Sequence, residues 1–220
     1  MRPVLIEEIN EVHLQFRLIP ETFQMVVAII ERCLQSVTGT KRSQLQLVGV
    51  TGLFVAVKYE ELFPPPIANF VYITHESYTD SQIRKMELKM IETLDCDLSG
   101  SLPVYFLRRF SKAAVAEDIQ CTMSMYFIEL VKMESNVAYY KPSEVAVFVK
   151  MSVGLDDIYR PPTLQWYSRY RVEHIKPLVS KIAAIARNAR TVKLNVVQVS
   201  EISNNIYASK TLWRFNRFDY

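Results

Sequence analysis

Few side chains in this sequence are placed to do chemistry. Lys58, Glu60 and Glu61 end the stretch LQLVGVTGLFVAVKYEELFPPP (residues 45–66), and Glu87 lies one segment further on. The three histidines, His13, His75 and His174, are far apart and beside no recognisable nucleophile. No Cys or His spacing suits zinc, and no glycine-rich loop could cradle a phosphate. An adjacent acidic pair such as Glu60-Glu61 is more often a solvated helix end than a pair of catalytic carboxylates. The expectation is therefore no enzyme, no cofactor and no metal. What remains is a lysine and a glutamate on neighbouring rigid elements. They could offer opposite charges to a partner's backbone ends or side chains, with apolar neighbours excluding water. They could equally form an internal salt bridge.

The elements that must hold these residues read as helices. In MRPVLIEEINEVHLQF, Leu5, Ile9, Val12 and Phe16 recur at steps of three and four. PETFQMVVAIIERCLQS follows, with Phe23, Val26, Val27, Ile30 and Leu34 facing inward. Ser43-Gln44-Leu45-Gln46 reads as a capping box opening the 45–66 stretch, a helix near 20 residues long that is apolar on all sides and is expected at the centre of a bundle. Pro64, Pro65 and Pro66 stop it. A second capping box, Thr79-Asp80-Ser81-Gln82, opens SQIRKMELKMIETLD, with Ile83, Met86, Met90, Ile91 and Leu94 inward. Gly100 and Pro103 punctuate CDLSGSLP, where a domain boundary is expected. Beyond it five further helical pieces repeat the rhythm, and NNIYASKTLWRFNRFDY has no clear period.

Composition narrows the class. In 220 residues, 50% are hydrophobic and 22% charged, which excludes a disordered chain, and five glycines disfavour a turn-rich all-β one. Mean hydropathy of +0.05 hints at apolar surface kept for a partner. From Arg169 onward ten Lys/Arg stand against three acids, most simply a solvated basic face. Cys33, Cys96 and Cys121, odd in number and set among apolar residues, suit core cysteines in a reducing compartment. No run of about 18 apolar residues is present, so a soluble intracellular protein without membrane contact is expected.

LQLVGVTGLFVAVKYEELFPPP, FVYITHESYTDSQIRKMELKMIETLDCDL and LPVYFLRRFSKAA together resemble a B-type mitotic cyclin, the likeness running from Met1 to about Ala114 and more loosely to about Lys210. The resemblance implies an all-α fold of two tandem cyclin boxes, each a five-helix bundle, at residues 1–99 and 103–205, with a tail at 206–220. It implies a non-catalytic subunit that binds and activates a cyclin-dependent Ser/Thr protein kinase at the G2/M transition, in the nucleus and cytoplasm. By position Lys58 and Glu87 match the pair that grips the kinase's mobile helix, and Val55, Tyr59, Ile91, Cys96 and Leu98 match the apolar positions around them.

MRPVL resembles the family's docking patch for Arg-x-Leu segments of substrates and inhibitors, which by position would comprise Met1, Val4, Leu5, Glu8, Glu11 and Leu45. Glu8 stands where the family has a tryptophan and so weakens this docking; Pro3 replaces an alanine. Asn69 and His75 stand where acids are usual, Gly52 replaces an alanine, and Lys150 falls on an expected buried helix. The chain opens inside a family motif, as a fragment or a shortened, divergent relative would. The alternative reading is a degenerate cyclin-fold interaction module that no longer activates a kinase. A nucleic-acid-binding relative of the same fold would rest on the basic C-terminal segment alone, and no nucleic acid is expected.

Overall fold

A segment with no polar face can be satisfied only by apolar neighbours on every side, and that requirement organises the first half of the computed structural model. The structure describes residues 2–36, 41–116, 118–134, 140–154, 162–171, 173, 181, 184 and 185. Helix α3 (Leu45–Glu60) is buried without interruption from Val48 to Val57, and α1 (Arg2–Gln15), α2 (Pro20–Ser36), α4 (Ile67–Ile73) and α5 (Asp80–Thr93) all pack against it. Two glycines let the rods approach closely. A Cβ on Gly49 would come within 2.6 Å of Leu5 Cδ1, and one on Gly52 within 3.0 Å of Ile30 Cγ1. Gly52 thus trades helix propensity of about 1 kcal/mol for close packing against α2.

The helix ends follow local chemistry. At α5 both halves of the expected capping box are present: Thr79 Oγ1 accepts from Gln82 N, and Gln82 Oε1 accepts from Thr79 N at 2.8 Å. The box expected at Ser43 rests on a side chain that lies outside the described ones. The chain enters α3 through a single 3-10 turn, Arg42–Gln44, which makes Gln44 the cap and leaves α3 without a side-chain cap. α3 stops at Glu60, and Glu61 turns extended ahead of the prolines while its N–H still reaches Val57 O.

The inward face of α1 differs from the expected stripe. Leu5, Ile6, Ile9 and His13 are buried, whereas Val12 and Phe16 are half-buried. His13 can turn inward because its Nε2 lies 3.0 Å from Ile19 O; burial lowers its pKa, opposed by that hydrogen bond and by the nearby Glu61 charge.

The chain divides into two compact units, Met1–Gly100 and Ser101–Tyr220. In the second, α6 (Pro103–Ala113), α7 (Asp118–Met133), α8 (Pro142–Gly154) and α9 (Pro162–Ser168) surround a core of Leu107, Phe110, Phe127, Ile128, Val147 and Leu164. α6 packs against all three others. Among the described residues there is no strand, and no helix is long and apolar enough to cross a membrane. The Lys150 side chain, most of the fifth expected helical piece and the 206–220 tail lie outside the described residues.

Candidate partner-binding face

Lys58 lies in the last turn of α3, one turn beyond Phe54. Its Nζ sits 5.0 Å from the centre of the Phe54 ring, which is itself held edge-on by Phe70 at 5.1 Å. The ammonium is thereby steered across to α5, where it donates to Glu87 Oε1 at 2.6 Å. The two ends of this bond differ: the Lys58 side chain is 48% exposed and that of Glu87 11%. Glu87 occupies the inward face of α5 beside Ile83 and Met90, and takes the place the apolar pattern gives to Met86, which is half-buried. A nearly buried carboxylate is costly unless paired, so Lys58 is needed by Glu87 within the chain itself. The free chain thus makes the internal salt bridge, at the surface and with its cationic end open to water.

Around the pair the structure sorts the expected neighbours. Tyr59 and Cys96 are exposed, Ile91 and Leu98 half-buried, and Val55 is 3% exposed, so Val55 supports this region from beneath. Of the cysteines expected in a core, only Cys33 is buried; Cys121 is half-buried. Cys96 turns outward because Asp95 and Cys96 both adopt left-handed backbone angles, φ 51° and 58°, where α5 ends. Sequence reasoning missed Leu62, 90% exposed, Phe63, 92% exposed, and Leu88, exposed beside Glu87. The signal for the first two was present: they are large apolar residues caught between a helix end and three prolines, with no element to bury them.

Glu61 does not join Lys58 as part of a presented charged tip. Its Oε1 accepts from Ile19 N at 2.9 Å and from Thr22 Oγ1 at 2.7 Å, at the start of α2. The carboxylate meets one backbone N–H and one hydroxyl at the positive end of the α2 dipole, and ties the end of α3 to the start of α2.

A concave feature lies along α1. An open groove of about 280 Å³ is lined by Leu5, Ile9, Val12, Val50, Leu53 and Ile73, with Glu8, Glu11, Gln46, Thr74 and His75 also on its walls. Of the expected docking-patch residues it brings together Leu5, Glu8 and Glu11. Val4 and Leu45 are not among its lining residues, and Met1 lies outside the described residues. His75 holds a left-handed angle, φ 50°, in the turn after α4. Among the described residues no group of His, Cys, Asp or Glu could hold a metal ion.

Comparison with known proteins settles the family. Residues 1–99 match the model of the cyclin N-terminal domain, and residues 101–211 that of the cyclin C-terminal domain. The chain belongs to the cyclin family. It is 53% identical over 209 residues to the G2/mitotic-specific cyclin-B of Drosophila melanogaster, covering 90% of this chain and 39% of that protein. It is 39% identical over 224 residues to the G2/mitotic-specific cyclin-B2 of Anguilla japonica, covering 98% of this chain and 54% of that one. The chain therefore spans about half, or less, of the length of these relatives. A solved viral cyclin from herpesvirus saimiri superposes with a TM-score of 0.67 at 19% identity, over 82% of this chain and 85% of that one, which supports the fold.

Proposed function

We propose that this cyclin chain is a non-catalytic regulatory subunit that binds a cyclin-dependent Ser/Thr kinase as a heterodimer and holds it active at the G2/M transition, in the nucleus and cytoplasm. The observation that carries this reading is the Lys58–Glu87 pair, half open to water and set among exposed apolar side chains. On docking, the pair opens. Lys58 and Glu87 then exchange part of their mutual bond for groups on the kinase's mobile helix, while Tyr59, Ile91, Cys96 and Leu98 close over them and exclude water, with Val55 behind. Excluding water strengthens each charged contact and fixes register. The held helix keeps its own glutamate on the ATP-binding lysine and frees the activation loop.

Co-purification with a mitotic kinase tests this reading. Wild-type chain should recover the kinase, and Lys58→Ala/Glu87→Ala should recover about tenfold less or worse, as expected when a central interface anchor is removed. Equal recovery would sink the proposal.

Similarity to G2/mitotic-specific cyclins favours the activating subunit over an interaction module that no longer activates. Glu8 lines the α1 groove in place of a large aromatic wall, so an Arg-x-Leu segment keeps Glu11 for its cation but loses an apolar face for its leucine. Stimulation of histone phosphorylation by the reconstituted pair separates the two: strong stimulation supports the activating subunit, and binding without stimulation supports the module.

A further inference from the structure

The second unit carries a face that the kinase reading leaves unused. On α6, Val104, Leu107 and Phe110 are buried, while Tyr105, Arg109 and Lys112 fall one turn apart on the outward side. α9 packs beside α6 and buries Leu164, but it turns its aromatic side chains out: Trp166 is 75% exposed and Tyr167 42%. The two helices are joined at the surface by Arg109, whose guanidinium lies 5.4 Å from the centre of the Tyr167 ring; Trp166 meets the same ring edge-on at 5.2 Å. Neither α6 nor α9 contains an acidic residue, and exposed Arg169 and Arg171 continue the positive charge before Glu173. Among the described residues no carboxylate pairs with Arg109 or Lys112.

A tyrosine ring with an exposed tryptophan at its edge and an arginine over it has the composition of an interface anchor, since Trp, Tyr and Arg dominate binding energy where proteins meet. We propose that this α6–α9 face binds an acidic segment of a partner protein, with carboxylates on Arg109 and Lys112 and an apolar side chain of the segment on Trp166. The occupant follows from charge complementarity, because the face is cationic along α6 and after α9, is aromatic on α9, and neither helix contains an anion. The stripe from Tyr105 to Lys112 rises about 10 Å, a length that three or four extended residues cover. The ring geometry favours protein over nucleic acid. Trp166 and Tyr167 stand at 85° to each other, so they build no parallel ladder for successive bases.

The test measures binding of short fluorescein-labelled peptides to the full chain by anisotropy, at low and at physiological salt. One peptide carries a Glu/Asp run beside a leucine; a second has Gln/Asn in place of the acids; single-stranded oligo-dT is the third probe. The acidic peptide should bind and weaken with salt. Arg109→Glu/Lys112→Glu and, separately, Trp166→Ala should each weaken it about tenfold or more. These side chains are outward, so circular dichroism and kinase recovery should match wild type. The proposal is overturned by equal binding of the neutral peptide, by no binding of the acidic one, by variants that bind like wild type, or by oligo-dT binding more tightly than the acidic peptide.

Discussion

At the scale of single residues, the structure separates charges that serve the fold from charges offered outward. Glu61 belongs to the first kind. Removing its carboxylate in Glu61→Ala orphans Ile19 N and Thr22 Oγ1 and should cost about 1–2 kcal/mol in denaturant unfolding, whereas Glu61→Gln keeps an acceptor oxygen and should recover much of that. Glu129 on α7 gives a pH dependence of known sign. Desolvation pushes its carboxyl up from 4.5 to about 7. Between these values the folded chain holds a proton that the unfolded chain has released, so this group's contribution is full below pH 4.5 and is lost as pH rises through 7. Glu129→Gln removes the cost of burying the charge and should raise stability at pH 8 by about 1–3 kcal/mol, with no gain at pH 4. Unfolding curves at the two pH values check it.

At the scale of elements, much was legible because it is local. The apolar run of α3, the capping box of α5 and the proline stop each depend on residues close in sequence, and each is where the pattern puts it. What was not legible depends on distant contacts. Glu61 looked like a solvated helix end because its partners lie about forty residues earlier. The inward turn of His13 depends on a carbonyl in the next loop, and the exposure of Cys96 on two left-handed residues that composition does not reveal. Close approach is likewise a contact property. In Gly49→Ala the new methyl pushes on Leu5, an overpacking cost of about 1–3 kcal/mol against a helix-propensity gain of about 1, for a net loss near 1. Because the clash is with Leu5 itself, Gly49→Ala/Leu5→Ala should cost less than the two single changes added together, as measured by denaturant unfolding of all four chains.

At the scale of the molecule, the chain builds two helical units, and in the first of them it pairs a nearly buried glutamate with a lysine at the surface. That pair was the clearest sequence signal of function. Its types and its place on α3 and α5 could be read, but whether the two side chains meet each other or wait separately for a partner could not, since that depends on how the rods pack. They meet, at 2.6 Å. The most direct test of the account is therefore to exchange them. Lys58→Glu/Glu87→Lys keeps an ion pair between the same helices but reverses the field that an arriving kinase encounters. Kinase affinity is measured by calorimetry alongside the thermal unfolding of the free chain. The account predicts unfolding close to wild type and kinase affinity lower by about a hundredfold, roughly 2.7 kcal/mol. Wild-type affinity in the exchanged chain would contradict it, because the pair would then be a brace within the fold and no part of the surface that grips the kinase.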